Sequence, residues 1–251
     1  IYESLTKYDP ATKKVVPRLA TSWEHSGDGK TWTFHLHPGV KFHTGRPLDA
    51  AAAKAAIQRT IALKGGPAYI WDSVGSIDAA DPTTLVFHLK YAAPLDLVAS
   101  SDYAAYIYDT KAAGSADLKK WLSAGHDAGS GPYTVASWTK GQEVELRLAA
   151  FKDYWGGWKP DSYQAVEFRV TSEVTTASQL LQRQQVTFVD RMNPQLFEQA
   201  SHQTGLSTAH SASFQNLLAL FNTAKGPMAD VRVRQAVQSA IDVNGLVGAL
   251  K

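Results

Sequence analysis

The chain has 251 residues, of which 44% are hydrophobic and 19% charged, a balance that favours about two packed domains over a disordered chain. Its 25 basic and 23 acidic residues leave a net charge of +2; the charges are dispersed, so no electrostatic footprint for nucleic acid is present. Cysteine is absent, which excludes disulfides, thiolate metal sites and a cysteine nucleophile, and no apolar run approaches the ~18 residues that span a bilayer.

In chain order, Ile1-Tyr2-Glu3 opens without Met and without a signal-peptide pattern, so an upstream segment is expected to have been removed before this point. Trp32, Phe34 and Leu36 alternate with polar residues and predict a strand with one buried face. Residues 48–62 form an Ala-rich run with Ile57 and Ile61 four apart, a predicted helix with Asp49 as its N-cap. Lys64-Gly65-Gly66-Pro67 breaks it. Leu85, Phe87 and Leu89 repeat the strand pattern after the Asp81-Pro82 turn, and so do Val144, Leu146 and Leu148, then Val166, Phe168 and Val170. Between these, Gly125 to Pro132 reads as a linker or tight crossover, with Gly129 and Gly131 suited to positive φ. Helices are expected over 174–184 and 194–202, with a strand at Val186–Val189 between them. Another strand is expected to end near Asn222. After Ala224-Lys225-Gly226-Pro227 a last helix starts at Asp230, with Val233, Val237 and Ile241 on one stripe. Strands and helices interleave without strict alternation, which points to an α/β or α+β architecture with a mixed sheet. Most of the seven Trp and ten Tyr suit core packing, while some suit a cleft lining.

Catalytic signatures are missing from the sequence. There is no Gly-x-Ser-x-Gly elbow, phosphate loop or dinucleotide fingerprint, and Ser130, between two glycines, has no identifiable base. Glu143 and Glu145 share what reads as an exposed strand face. His35 and His37 lie two apart on one predicted strand and His43 follows, but no carboxylate at matching spacing completes a metal site. The expectation is therefore a non-enzyme with no metal and no cofactor.

Three spaced blocks carry a resemblance. The first is Pro17-Arg18-Leu19-Ala20-Thr21-Ser22-Trp23-Glu24, Asp28 to Leu36, and Pro38-Gly39-Val40-Lys41-Phe42-His43. The second is Gly129-Ser130-Gly131-Pro132-Tyr133, Trp138, Tyr154-Trp155-Gly156-Gly157 and Phe168-Arg169. The third is Asn222, Asp230 to Ala236, and Ala240-Ile241-Asp242. Together and in this order they resemble family 5 extracellular solute-binding proteins, the dipeptide, oligopeptide and nickel-type binding subunits of ABC importers.

The resemblance implies a type II periplasmic-binding-protein-like fold with an extra second domain. Residues 1–5 and 129–222 would form a discontinuous ligand lobe, 6–128 the second domain, and 223–251 the start of an opposing lobe whose remainder lies outside this sequence. Family members are about twice this length, so one wall of a site is expected here and the isolated chain is expected to bind weakly, since closure of two lobes is what encloses a ligand. The implied partners are a peptide-like or similarly sized solute and ABC permease subunits in the membrane. The implied location is periplasmic or extracellular, with a lipoprotein anchor on the full-length form. Where the second domain borders the cleft in the family, Tyr69 and Trp71 are candidates for stacking on a ligand. Asp102, Tyr103 and Tyr106 form a second bordering segment. In the nickel-type branch that segment resembles an arginine-containing stretch; Ser101 to Tyr106 has no arginine, which argues against an anionic chelate and leaves Asp102 for a cationic group. Asp190, Met192 and Asn193 are candidates for a polar rim, and Asn222 and Thr223 for a hinge. Two other readings stay open at this point: a cytosolic sensor domain of a transcription regulator on the same fold, and a hydrolase.

Overall fold

The computed structural model describes residues 1–101, 103–210 and 218–249. The chain falls into two compact units, Ile1–Val170 and Thr171–Lys251.

In the first unit a hairpin, β1 (Thr6–Asp9) and β2 (Lys14–Pro17), precedes a four-stranded antiparallel sheet. That sheet has the order β3 (Ala20–His25), β4 (Thr31–Leu36), β6 (Thr84–Leu89), β5 (Val74–Asp81). Register sets its inner face: Trp32 lies opposite Phe87 and Phe34 opposite Leu85, so the alternating apolar sets of β4 and β6 project together, and all are buried. Into the same core goes α1 (Ala50–Leu63), through Ala50, Ala53, Ala56 and Ile57. Alanines on that stripe let the helix approach the sheet closely. Asp49 caps it as expected, its carboxylate accepting the Ala52 N–H at 2.8 Å, and Lys64 ends it in a left-handed conformation at φ 48°.

Short elements follow: a 3₁₀ turn Gly66–Trp71, α2 (Leu95–Val98), a 3₁₀ turn Tyr103–Ala105 and α3 (Leu118–Ser123). A second sheet is a meander of β7 (Tyr133–Trp138), β8 (Val144–Ala150) and β9 (Ala165–Arg169). The crossover into it departs from expectation. Gly129 and Gly131 are absent from the residues with positive φ; what requires glycine is the backbone of Ile1. The Gly131 N–H donates to the Ile1 carbonyl at 2.8 Å, and a Cβ at Gly129 would run into that same carbonyl. Close approach of two main chains, not turn geometry, selects these glycines. Gly157, by contrast, sits at φ 69°.

Asp127 ties the crossover down, accepting the Val135 N–H at 2.8 Å and the Gly129 N–H at 3.3 Å. Burial works against ionising Asp127, yet the hydrogen bond from His43 and those backbone N–H groups outweigh it and hold its carboxyl below the ordinary 3.8. A depressed folded-state value means that this contribution to stability is complete above about pH 4 and disappears as pH falls through the folded value. Acid unfolding of Asp127→Asn should therefore begin from a lower stability at pH 6 but show a shallower loss between pH 4 and pH 2. Equal slopes for the two proteins would refute the assignment.

The second unit contains α4 (Val174–Gln182), α5 (Pro194–Ser201), α6 (Val231–Ala240) and α7 (Val243–Ala249). Asp230 is the N-cap of α6, accepting the Arg232 N–H at 2.9 Å, so the helix starts where expected but stops before Ile241. The expected strand at Val186–Val189 is irregular chain: its β-branched residues suit a strand, but no described strand pairs with it and Phe188 is exposed. No strand leads to Asn222 within 218–222 either, and residues 211–217 lie outside the described residues.

Candidate functional site

In the first unit, two 3₁₀ turns present aromatic rings. The join between them is Trp71, which is 1% exposed. Its indole N–H donates to the Ala104 carbonyl at 2.9 Å, and its ring stacks on Phe87 at 6.0 Å. Trp71 is therefore packed into the core and not free to stack on a ligand as expected; its indole joins one turn to the other. Two residues earlier, Tyr69 is 68% exposed, as is Tyr103 on the second turn. The Tyr103 hydroxyl lies over Gly66, where a Cβ would meet it at 3.3 Å; glycine at φ 54° leaves room for the ring to cross the start of the first turn. Asp102 lies outside the described residues.

Tyr106 is 37% exposed and stacks on Tyr2 with centroids 5.9 Å apart and planes 11° from parallel. An antiparallel bridge between Glu3 and Ile107 sets these two segments side by side. Burial raises the Tyr2 phenol, whose oxygen accepts the Ala128 N–H at 3.4 Å. Tyr2 also helps line a groove of about 370 Å³ with Ile1, His126, Asp127, Val135 and Trp138. These segments thus present flat phenol rings, a surface chemistry that stacks on apolar or planar faces and can hydrogen-bond through its hydroxyls.

What holds the Tyr2 segment is Glu3, which sequence reasoning missed. It is 3% exposed, and its carboxylate receives the Arg18 guanidinium at 2.7 Å, the Trp155 indole N–H at 2.8 Å, and the Tyr154 and Ser130 hydroxyls at 3.1 Å each. Burial, reinforced by the Glu3 charge, pushes Tyr154 up to about 12, so it stays a phenol that donates. The signal was present, since every donor lies in a block that carries the family resemblance, but nothing in the sequence pairs them with residue 3. The hub also answers the question of Ser130: it is wholly buried and its hydroxyl is committed to Glu3.

The histidines diverge. His35 pairs with Glu24 at 3.2 Å. His37 lies past the end of β4, not on its face, and packs against Trp155 at 4.5 Å, while His43 is turned toward Asp127. Glu143 and Glu145 are likewise engaged separately, the first with Arg169 at 3.3 Å and the second with the Trp138 indole at 3.3 Å.

In the second unit, Asn193 is the N-cap of α5, its side-chain oxygen accepting the Leu196 N–H at 2.8 Å. Asp190 lies beside Arg191 at 3.5 Å with both exposed, and Met192 is half-buried. Asn222 and Thr223 are exposed, with the Asn222 side chain accepting the Ala224 N–H at 3.1 Å.

Comparison with known proteins follows the same lines. Residues 14–251 match the family described as bacterial extracellular solute-binding proteins, family 5 middle. The nickel-binding periplasmic protein of Escherichia coli K12 is 28% identical over 98% of this chain and 47% of its own length. Di/tripeptide-binding protein 1 of Pseudomonas aeruginosa UCBPP-PA14 is 25% identical over 100% of this chain and 50% of its own. Among solved structures, the ABC transporter-associated periplasmic binding protein DppA of Helicobacter pylori, in complex with the peptide STSA, superposes with a TM-score of 0.80 at 25% identity, covering 100% of this chain and 52% of that one. The chain spans about half the length of the curated relatives it matches. Its motif blocks, its mixed helix and sheet architecture and a match across nearly its whole length agree, and the chain belongs to the family 5 bacterial extracellular solute-binding proteins.

Proposed function

We propose that this chain supplies one wall of the binding site in the extracytoplasmic substrate-binding subunit of an ABC importer, and that the protein captures a peptide-like or similarly sized solute by lobe closure without transforming it. The observation that carries this reading is the pair of exposed tyrosines, Tyr69 and Tyr103, held on two turns that the buried Trp71 locks together, in a chain of family 5. Rigid rings displayed at low entropic cost are what a binding wall needs. Relatives named as binding peptides and nickel support a small solute. A peptide is favoured because the segment is aromatic, with Asp102 and no arginine in residues 101–106, which suits a cationic amino group better than an anionic chelate.

In the same reading, residues 1–5 and 129–222 belong to the ligand lobe, 6–128 to the second domain and 223–251 to the opposing lobe, with Asn222 and Thr223 in the hinge. Asp190, Met192 and Asn193 are rim residues, Asn193 through its backbone because its side chain is a cap. The subunit delivers its solute to membrane permease subunits from the outer side of the cytoplasmic membrane, held there by a lipid anchor.

Calorimetric titration of the protein that carries this chain against di- to tetrapeptide pools tests the proposal. Reversible binding with the peptides recovered intact is expected, and hydrolysis of the bound peptide would sink it. Tyr69→Ala and Tyr103→Ala are each expected to weaken binding about ten-fold while leaving the unfolding midpoint unchanged, the effect of removing one well-placed ring. Unchanged affinity in both would remove these residues from the site.

A further inference from the structure

Tyr103 has a fixed root and a displayed ring. Ala104 and Ala105, which follow it in the second 3₁₀ turn, are buried, and the Trp71 indole holds the Ala104 carbonyl, so the backbone of that turn is anchored. The ring itself is largely exposed. What it rests on is Gly66, the first residue of the other turn.

The contact is close. A Cβ built on Gly66 would lie 3.3 Å from the Tyr103 hydroxyl oxygen, 3.6 Å from its Cε2 and 3.9 Å from its Cζ. The two carbon distances are ordinary packing distances, and the one to oxygen is tighter. Gly66 also has φ 54°, the left-handed region that favours glycine. That backbone alone does not exclude a side chain in this stretch, because Lys64, two residues earlier, adopts φ 48°. Gly39 shows the simpler case: its φ is 76°, and no atom lies within 4 Å of a Cβ built there. At Gly66 an aromatic edge sits where a side chain would begin.

We propose that Gly66 is a positioning residue of the aromatic wall: its missing side chain is the seat of the Tyr103 ring, and it sets how far that ring stands from the turn that carries Tyr69. The proposal rests on the reading of this wall as a binding surface. A methyl group at residue 66 lifts the hydroxyl end of the ring off the first turn. Because the ring is exposed while its backbone is anchored, the ring gives way toward solvent and leaves the turns in place. The hydroxyl is the atom that collides, so removing it reseats the ring: with Tyr103→Phe the nearest ring atom to the same methyl is Cε2 at 3.6 Å. The two positions are therefore coupled in one direction only, through a single oxygen atom.

In the protein that carries this chain, labelled at glycine and tyrosine, a nuclear Overhauser contact between the Gly66 α-protons and the Tyr103 ring is expected, and its absence overturns the proposal. Calorimetric titration with an equimolar pool of alanine di-, tri- and tetrapeptides reads the consequence. Gly66→Ala is expected to weaken binding about three-fold, whereas the same change added to Tyr103→Phe should leave the affinity of that variant as it was. Gly39→Ala imposes positive-φ strain with no ring above it and is expected to leave affinity unchanged. The same loss from Gly66→Ala with and without the Tyr103 hydroxyl, or no loss in either, overturns the proposal. An equal loss in Gly39→Ala would assign the effect to backbone strain and overturn it too. Should Gly66→Ala fail to fold, Gly66→Asn, which tolerates the left-handed region, takes its place in the same cycle. A protein that binds none of the pool refutes the reading of the wall as a binding surface; the ring contact then decides the seat by itself.

Discussion

Replacing Glu3 with Gln is expected to destabilise the first unit by about 3 kcal/mol, the low end of what breaking a buried ion pair costs. The amide keeps the shape of the side chain but removes the charge that answers Arg18 at 2.7 Å, and its NH₂ group confronts donors from Trp155, Tyr154 and Ser130. Four donors cannot be served by one neutral carbonyl oxygen, so at least one buried N–H or O–H goes without a partner. Arg18 keeps a third of its side chain in water, which softens the loss and places it at the low end. With a denaturant slope of about 2 kcal/mol per molar, the urea midpoint followed by tryptophan fluorescence should fall by about 1.5 M. Arg18→Met tests the same hub from the other side and should cost less than Glu3→Gln, because the carboxylate retains three donors. A midpoint shift below about 0.3 M for Glu3→Gln would show that the hub does not hold the fold.

Trp71 carries the second large effect. Trp71→Ala is expected to cost about 4 kcal/mol, the usual range for emptying a buried aromatic site, since the ring is 1% exposed and lies on Phe87. The more informative variant is Trp71→Phe. It keeps an aromatic ring in the site but removes three ring atoms and the indole N–H that donates to the Ala104 carbonyl at 2.9 Å; about 1–2 kcal/mol is expected. Because that hydrogen bond joins the turn bearing Tyr69 to the turn bearing Tyr103, Trp71→Phe should also weaken solute binding several-fold in a protein that remains folded. Loss of stability with affinity intact would show that the two turns keep their places without it.

The parts of the fold legible in the sequence were those governed by neighbours in the chain. β4 and β6 follow from strict alternation, and their opposed registers bury Trp32, Phe34, Leu85 and Phe87 together. The ends of α1 and α6 follow from Asp49 and Asp230, whose carboxylates act within three residues. β5 escaped because a bulge between Val74 and Ser76 shifts its register, leaving Val74 and Ile77 as its buried pair at a spacing that fits no alternation. Val186–Val189 misled for the converse reason: strand propensity is a statement about fitting a sheet, and no described strand stands beside it. Within the candidate wall, the sequence does not separate exposed from enclosed rings. Tyr69 and Trp71 are two apart, yet one ring faces water and the other is enclosed, a difference set by Phe87 and Ala104, which are remote in sequence. Glu3 was illegible because its partners lie 127, 151 and 152 residues away, and no local pattern records a hydrogen bond of that span.

That span has a consequence for how the chain is made. Strands β3 to β6 pair with one another within residues 20–89, and the core they share with α1 is completed by residues up to Ile107, so this sheet can form well before residue 154 is made. Glu3 cannot be desolvated at that stage, because an ionised carboxylate without its donors is too costly to bury, and Tyr154 and Trp155 have not been synthesised. The Glu3 segment therefore stays hydrated and unlatched until Tyr154 and Trp155 have been made. The hub is thus a late lock: its last-made partners, Tyr154 and Trp155, decide when the Glu3 segment becomes native.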